Sequence, residues 1–362
     1  MMDGAAYSYA PTFSPESEVG LTSVVVVHYL GAEDLFACVD SVMSQDVGAI
    51  ELIVVDNRSP DGAVSSLSAD ARLRRVWLPH NTGFAAGANV GVSAARGDVV
   101  VLLNPDAVLR IGCLAALRKA LEEVDIAVPK VLLRDDPTLL DSCGHDLYPD
   151  GLNWCRGRGQ DASGRYDEAE DLLLFSGAAV AFRRSALVAT GGLDEGFWAY
   201  GEDADLGLRA ARNGLRCRTA PNAVVTHRIG GSFGRYGLYK AFLVERNRVR
   251  VLLVHLPVSW LAAAPLWTAA RVLALGALGG VGRGVAGGYS PIQRALLGPA
   301  LLAAWGASLA QAPGSLARRW ALSKRPLDRD FPRRLRESRV GLRSLIRRPA
   351  SRAPQRSREQ TP

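Results

Sequence analysis

Residues 21–57 read LTSVVVVHYLGAEDLFACVDSVMSQDVGAIELIVVDN, and this stretch decides the fold class. Two short runs rich in β-branched residues, 23–27 and 52–55, predict buried strands. Between them, Leu35 and Val39 lie on one face of an amphipathic helical segment. The order strand, helix, strand predicts a βαβ unit and therefore a parallel sheet.

The same pattern continues along the chain. Residues 75–78 and 99–103 predict further strands, and the alanine-rich residues 84–96 predict a helix that packs on the sheet. Residues 126–133 predict another strand, whereas the Gly/Asp/Arg-rich residues 143–166 predict a mobile loop. We therefore expect an α/β fold with a mostly parallel sheet flanked by helices.

The composition changes after residue 250. Residues 251–270 carry no formal charge apart from a possible His255, and residues 295–310 are similarly apolar, so either segment could enter a bilayer. Flanking arginines and internal Pro, Gly or Trp residues favour a membrane-bound pair of interfacial or re-entrant helices, although a soluble helical cap also fits. The predicted parts are a flexible N-terminus (residues 1–20), an α/β domain (21–250), a hydrophobic helical membrane-associated region (251–315) and a basic, largely disordered tail (316–362).

The charge is concentrated in that tail. Residues 316–362 contain fifteen Lys/Arg and four Asp/Glu, which leaves a mildly acidic body in a chain of net charge +7. The basic charge thus lies outside the predicted folded part, which argues against a nucleic-acid partner and favours an anionic lipid surface. Five widely spaced cysteines without a CxxC pair indicate neither a disulfide framework nor a zinc site, and the first residues lack a secretory signal, so we expect a cytosolic body.

Two polar motifs follow strands in the first half of the chain. Asp56 and Asn57 come directly after the strand 52–55, at the edge where open α/β sheets bind ligands, and a carboxylate there can accept a hydrogen bond from a pyrimidine or a ribose. A turn-forming role is the alternative. Residues 81–89, NTGFAAGAN, lack both the dinucleotide fingerprint and the phosphate-loop pattern, which argues against a dehydrogenase. This segment can bring backbone N–H groups near a phosphate or can simply pack.

Two acidic motifs follow in the second half. In LLNPDA, residues 102–107, Asn104 and Asp106 are two positions apart and can project towards one ligand, such as a divalent cation that neutralises a diphosphate. A helix that begins near Gly201 carries Glu202, Asp203 and Asp205 in its first turn, where the helix dipole also favours acids. One of them could act as a general base, and a histidine at the end of the next strand, His227, could ligate the same cation or be merely hydrogen-bonded.

Seven segments in order resemble the family-2 glycosyltransferases with the GT-A fold, in particular a bacterial rhamnosyltransferase-like branch. The resemblance covers about residues 21–250. The segments are SVVVVHYLG, LIVVDN, NTGFAAGANVG, GDVVVLLNPDA, FSGAAVAFRRSAL, GGLDEGFWAYGEDADLGLR and AVVTHRIGGS.

The resemblance implies a role for each matching residue. Asp106 would bind the metal, although Asn104-Pro105-Asp106 has one acid fewer than the DxD motif; His227 would complete the coordination, and Asp203 would be the catalytic base. Glu202 and Trp198 would lie beside the acceptor. The implied nucleotide-sugar-binding residues are His28, Tyr29, Asp56, Asn57, Asn81, Gly83, Asn89 and Asn104.

The implied reaction is a single displacement with inversion, assisted by Mg²⁺ or Mn²⁺, at the cytoplasmic face of the inner membrane. The resemblance favours a dTDP-rhamnose donor, with UDP-sugars possible, and a cell-envelope glycan or a polyprenyl-linked acceptor. Two alternatives are a catalytically silent membrane scaffold and a nucleotidyltransferase. The nucleotidyltransferase would require a basic pyrophosphate loop near the first strand, where this chain has HYLGAED.

Overall fold

The computed structural model describes residues 13, 16–228, 237–280 and 289–341. Twelve strands and ten α-helices lie in this described part. The strands are β1 (Glu18–His28), β2 (Ala49–Asp56), β3 (Leu73–Trp77), β4 (Gly97–Leu103), β5 (Ala107–Leu109), β6 (Ile126–Leu133), β7 (Leu140–Ser142), β8 (His145–Leu147), β9 (Asn153–Cys155), β10 (Asp171–Leu172), β11 (Ala179–Arg183) and β12 (Cys217–His227). The helices are α1 (Ala32–Met43), α2 (Ala63–Ser66), α3 (Gly83–Ala94), α4 (Cys113–Ala120), α5 (Arg184–Thr190), α6 (Glu202–Arg212), α7 (Leu238–His255), α8 (Val258–Gly280), α9 (Pro291–Ser323) and α10 (Phe331–Glu337).

The main sheet has the strand order β10-β12-β6-β11-β4-β1-β2-β3, with β5 and β7 attached to β12 and β6. Strands β3, β2, β1 and β4 are parallel, as predicted, and their carboxyl ends meet at one edge. Strand β11 lies antiparallel between β4 and β6. Strands β6 and β12 are parallel to each other and run in the same direction as β4, whereas β11 and the short β10 run the other way. The α/β fold class with a mostly parallel sheet is therefore confirmed.

Helices cover both faces of this sheet. Along β1, Val24 and Val26 pack with helix α1 on one face, whereas Val25 and Val27 pack with helix α3 on the other, because side chains alternate along a strand. A Cβ atom at Gly91 would lie 2.3 Å from Val25 Cγ1. The glycines of α3 therefore allow the helix to approach the sheet closely, which explains this glycine-rich segment by packing.

Helix α7 crosses the predicted boundary between the α/β domain and the C-terminal helices. The predicted domain boundary at residue 250 lies inside α7, which ends only before Pro257, where the missing N–H and the ring stop the helix. Residues 316–323 continue α9 and residues 331–337 form α10, so this part of the predicted tail is helical rather than irregular. The remaining residues of that tail, 342–362, lie outside the described part.

A buried polar cluster ties these helices to the body. Glu245 of α7 forms ion pairs with Arg248 and with Arg271 of α8, and Arg271 also donates to Asp150, 2.8 Å away. Trp305 of α9 donates its indole N–H to Glu245 over 2.8 Å. Because these charges are buried and paired, separating the helices from the body would expose them singly at a high cost.

Helix α9 is long and apolar enough to cross a membrane, judged by length and composition alone. Only 11% of its most apolar window is buried inside the structure. Leucines at positions 302 and 309 and Trp320 are more than half exposed, and so are Leu266 and Leu273 of α8. These two helices therefore present apolar side chains that the described part of the protein does not cover.

Candidate active site

The carboxyl ends of β1 and β2 bring together the first predicted site residues. His28 and Asp56 are paired in register, and both are buried. Asp56 Oδ1 accepts the N–H of Ser59 at 2.7 Å. His28 Nε2 lies 3.1 Å from both carboxylate oxygens of Asp61. Because His28 has no exposed surface, it supports the floor of this region and does not line it, whereas Tyr29, the next residue, is partly exposed.

Asn57 and Asn81 build the turn that precedes α3. The Asn57 amide donates to Asn81 Oδ1 at 3.0 Å and to the Gly83 carbonyl at 3.1 Å. Gly83 has φ +82°, and a Cβ atom there would lie 2.6 Å from Trp198 Cγ. Glycine is therefore required both by the backbone conformation and by the close contact with Trp198. These residues fix the turn against Trp198 and present it at the sheet edge.

Asn89 has a different role from the predicted one. Its amide donates to the Leu193 carbonyl at 2.9 Å and to Glu195 at 3.0 Å, and its carbonyl oxygen accepts the Leu193 N–H. The side chain is buried and fully bonded. Asn89 therefore fastens α3 to the segment before α6, and it is not available to a ribose or a phosphate.

Asp106 and His227 meet where β4 and β12 end. His227 Nε2 lies 3.1 Å from Asp106 Oδ1, and Asn104 Nδ2 lies 3.5 Å from the same nitrogen. On the other side of the ring, His227 Nδ1 lies 2.8 Å from Oδ2 of Asp141. Sequence analysis missed Asp141, which comes from the short strand β7.

The charges at this corner are tightly coupled. Burial alone would lower the pKa of His227, but the carboxylates of Asp106 and Asp141 outweigh it and raise that pKa to about 10. Burial would raise the pKa of Asp141, but Arg158 and His227 hold it well below its usual range. A carboxylate bonded to one ring nitrogen leaves the other nitrogen oriented for a metal ion, an arrangement common around metal-binding histidines.

No group of three or more His, Cys, Asp or Glu side chains able to hold a metal occurs in the described residues. Asp106 and His227 could thus supply two protein ligands, which is not a complete cage. Two protein ligands suit a cation whose remaining positions are filled by substrate phosphates and water, which is typical of Mg²⁺ at phosphate-binding sites.

Asp203 lies at the same edge, on the first turn of α6. Its carboxylate accepts the backbone N–H of Gly177 at 3.0 Å and of Ala204 at 2.8 Å. One residue beyond Gly177, the Ala178 carbonyl accepts the N–H of Asn104 at 2.9 Å. The end of β4 that carries Asp106 therefore lies beside the loop that holds Asp203.

Glu202 is buried in an unusual state. Burial, together with the adjacent charge of Asp203, raises the pKa of Glu202 to about 8. Its Oε2 atom has no hydrogen-bond partner among the described residues. The carboxyl group is therefore largely protonated near neutral pH and can donate to a ligand oxygen.

The third acid of this helix, Asp205, has a structural role. Both of its oxygens are engaged, one by His255 Nε2 at 2.7 Å and the other by Arg209 at 2.6 Å. Burial would raise the pKa of Asp205, but Arg209 and His255 hold it far below its usual range. This acid fixes α6 to α7 and faces no ligand.

The hairpin of β8 and β9 links the two acidic corners. His145 Nδ1 lies 3.7 Å from Asp203 Oδ2, and His145 Nε2 lies 3.5 Å from the thiol of Cys155. Arg158 reaches the Cys155 sulfur at 3.0 Å and Asp141 at 2.5 Å. The segment that the sequence predicted as a loop thus contains ordered strands and supplies polar side chains to the site.

The paired charges of the hairpin shift its titratable groups. Burial alone would lower the pKa of His145, but Cys155 and Asp203 raise it to about 9. Burial would raise the pKa of the Cys155 thiol, yet Arg158 and His145 lower it. The only sequence signal for these residues was their clustering in a polar, glycine-rich segment.

Trp198 lies where the site opens to solvent. Trp198 and Tyr200 have φ values of 65° and 67°, which are strained for residues with side chains and are commonest at functional sites. The Trp198 ring packs edge-on against Tyr239 at 5.7 Å, and Tyr239 stacks on Phe242 at 6.1 Å. These rings form an aromatic surface next to Glu202.

Comparison with known proteins identifies the class of this domain. Residues 23–189 match the family model of Glycosyl transferase family 2. This stretch, somewhat under half of the chain, is therefore similar to glycosyl transferase family 2, the family that the sequence resembles. The matched range includes Asp56 and Asp106 but ends before Asp203 and His227.

Curated relatives match shorter stretches. Succinoglycan biosynthesis protein ExoO of Rhizobium meliloti (strain 1021) is 31% identical over 105 residues, which are 28% of this chain and 29% of that protein. Glycosyltransferase GlyG of Streptococcus pneumoniae serotype 4 (strain ATCC BAA-334 / TIGR4) is 30% identical over 112 residues, which are 30% of this chain and 37% of that protein. The chain thus spans about a third of the length of these relatives.

Solved structures show the fold. GalNAc-T7 with UDP, GalNAc and Mn²⁺ has a TM-score of 0.53 at 16% identity, covering 65% of this chain and 48% of that one. Residues 1–349 of S. aureus TarS in complex with UDP-GlcNAc have a TM-score of 0.50 at 16% identity, covering 84% of this chain and 90% of that one. The sheet with its flanking helices is therefore GT-A-like.

Proposed function

We propose that this protein is an inverting glycosyltransferase that moves a sugar from a nucleoside-diphosphate donor to a hydroxyl of a cell-envelope glycan or a lipid-linked acceptor. One observation carries the proposal: Asp106 and His227 lie in contact at the sheet edge where Asp203 also lies. A cation-binding pair beside a separate carboxylate suits the departure of a diphosphate and the deprotonation of an acceptor.

In the proposed reaction, the acceptor oxygen attacks the anomeric carbon as the bond from that carbon to the diphosphate oxygen breaks. Asp203 takes the acceptor proton, and the nucleoside diphosphate leaves with the bonding electrons. The N–H groups of Gly177 and Ala204 orient the Asp203 carboxylate before it accepts the proton. No covalent enzyme intermediate is needed.

The residues present fit a divalent cation. Asp106 and His227 would hold Mg²⁺ or Mn²⁺, with Asn104 beside them and Asp141 orienting the His227 ring. When bound, the ion supplies positive charge that stabilises the departing diphosphate. The GalNAc-T7 structure, which has the same type of fold, contains Mn²⁺.

The donor site would lie along the ends of β1, β2 and β4. We assign the nucleoside to Asp56 and Tyr29, with the turn of Asn57, Asn81 and Gly83 closing one side. A dTDP-rhamnose donor is favoured by the resemblance of the sequence, and a UDP-sugar is the alternative. GalNAc-T7 and TarS were solved with uridine nucleotides.

The acceptor would approach from the aromatic side. Trp198 offers a ring face to a sugar, and protonated Glu202 can donate a hydrogen bond to an acceptor oxygen. Both residues lie on the segment that leads into α6, next to Asp203. This placement would allow the acceptor hydroxyl to reach the base.

We further propose that α8 and α9 lie on the cytoplasmic face of the inner membrane and do not cross it. Helix α9 packs along α7, and its Ser308 and Arg319 donate to backbone carbonyls of that helix region. Helix α7 carries charged residues such as Glu245 and Arg248. If α9 crossed the bilayer in this packing, those charges would enter hydrocarbon, which is costly.

The test is a donor-hydrolysis and transfer assay with a panel of nucleotide sugars, with Mn²⁺ and with a chelator. We expect one donor to raise the melting temperature and to be turned over only with the metal, because a ligand that binds the folded state stabilises it. Absence of turnover with every donor, despite binding, would instead favour the silent scaffold.

A further inference from the structure

Lys240 is placed where the usual rules of helix stability disfavour it. It lies in the first turn of α7, which contains no acidic residue, although the positive end of the helix dipole favours acids there. Its side chain is partly buried. Within the described residues, the ammonium group makes no ion pair with a carboxylate; it lies 5.1 Å from the centre of the Tyr200 ring.

The surroundings of Lys240 belong to the proposed active site. Burial, followed by the charge of Arg158, lowers the pKa of Lys240, while Cys155, Asp141 and Asp106 act in the opposite direction. Tyr200 lies two residues before Glu202, and Tyr239, the neighbour of Lys240 in the chain, packs against Trp198 at 5.7 Å. The ammonium group is therefore held over a ring on the acceptor side of the proposed site.

An anion beside Lys240 would offset both the burial of the ammonium group and its unfavourable position at the start of α7. It would pair with the ammonium group, and it would also interact favourably with the N-terminus of α7. In a glycosyl transfer, negative charge grows on the diphosphate as the sugar leaves, and a divalent cation neutralises only part of it.

We propose that Lys240 binds the diphosphate of the donor and stabilises it as it departs. This inference rests on the proposed glycosyltransferase function. The ammonium group of Lys240, at the start of α7, would contact the phosphate groups of the donor and neither the nucleoside nor the sugar.

The test compares Lys240→Met, Lys240→Gln and Lys240→Arg with the wild type. Calorimetry gives the Kd for UDP and dTDP in the presence of Mn²⁺, and ligand-observed NMR gives the binding of the matching nucleoside. We expect Lys240→Met and Lys240→Gln to raise the Kd of the nucleoside diphosphate about tenfold or more without changing the binding of the nucleoside. Lys240→Arg should retain part of the affinity for the nucleoside diphosphate.

The matched control is Lys324→Met, because Lys324 also covers an aromatic ring, that of Trp320 at 3.3 Å, but is exposed and remote from the site. It should bind like the wild type. Unchanged diphosphate affinity in Lys240→Met, or an equal loss of nucleoside binding, overturns the assignment of Lys240. If the wild type binds neither diphosphate, the proposed function itself fails, and this inference fails with it.

Discussion

The two acidic corners of the site differ in how their charges are compensated. At the Asp106 corner, His227 lies between two carboxylates, and Asp141 is paired again with Arg158. At the α6 corner, Asp203 is held by two backbone N–H groups and by the more distant His145, at 3.7 Å, and Glu202 keeps an oxygen without a partner among the described residues. Asp205, on the same helix, is fully paired.

This difference suits the Asp106 corner to cation binding and the α6 corner to proton transfer. A corner whose polar atoms are all fixed is preorganised for a cation, because little has to move when the ion binds. A carboxylate whose compensating charge is more distant, as His145 is from Asp203, responds more to a proton or a hydroxyl group brought next to it. If the two corners have these separate roles, substitutions at each of them should change different measured quantities.

The largest effect is expected for Asp203→Asn. The amide keeps the shape of the side chain but cannot take the acceptor proton, so kcat should fall by about 10²–10⁴-fold. Donor Kd should stay within about twofold, because ground-state binding does not need the base. Steady-state kinetics and calorimetry measure both quantities, with Asp70→Asn on the exposed surface as a control. A parallel loss of donor affinity would assign Asp203 to donor binding.

Asp205→Asn should act on stability instead. It leaves the Arg209 guanidinium buried without its counter-charge and removes the carboxylate that contacts the His255 ring, and breaking one member of a buried ion pair costs about 3–5 kcal/mol. Chemical denaturation would measure the free energy of unfolding. A loss below about 1 kcal/mol would show that the pairing of α6 with α7 contributes little to stability.

Asp141→Asn should weaken the Asp106 corner without touching the proposed ligand atoms. The ring of His227 would lose its carboxylate partner, and such changes typically reduce metal affinity or activity by about 10–100-fold. A Mn²⁺ titration of the folded variant checks this, and Asp136→Asn on the neighbouring exposed turn is the control. Unaltered Mn²⁺ affinity would contradict an orienting role for Asp141.

Glu202→Gln should produce a pH-dependent gain in stability. The folded protein keeps the Glu202 proton up to a pKa of about 8, whereas the unfolded chain loses it near 4.5, so wild-type stability falls as pH rises between these values. The glutamine variant lacks this fall.

Melting temperatures across the pH range measure the difference. The variant and the wild type should have the same melting temperature below about pH 4.5. Between about pH 4.5 and pH 8, the melting temperature of the variant should rise relative to that of the wild type, by roughly 2–4 °C for each kcal/mol of stability. A constant difference at every pH would indicate that Glu202 titrates normally in the folded protein.

Part of the site was predictable from the sequence. Asp56, Asp106 and Asp203 each follow or begin a regular element, and their positions at the sheet edge follow from the order of strands and helices. His227 was predicted at the end of its strand, and β12 ends there. The polar partners were not predictable. Asp141 and His145 come from short strands whose two or three residues have no periodicity to detect.

The sequence by itself determined the α/β architecture, because hydrophobic periodicity and chain order are local properties that each segment carries alone. It also determined which residues stand at the carboxyl ends of the strands. Only the tertiary structure decided which acids are neutralised. Asp205 and Asp203 are alike in sequence context, but His255 and Arg209 compensate the first and backbone N–H groups hold the second. The state of a buried carboxylate depends on charges brought near it from distant parts of the chain.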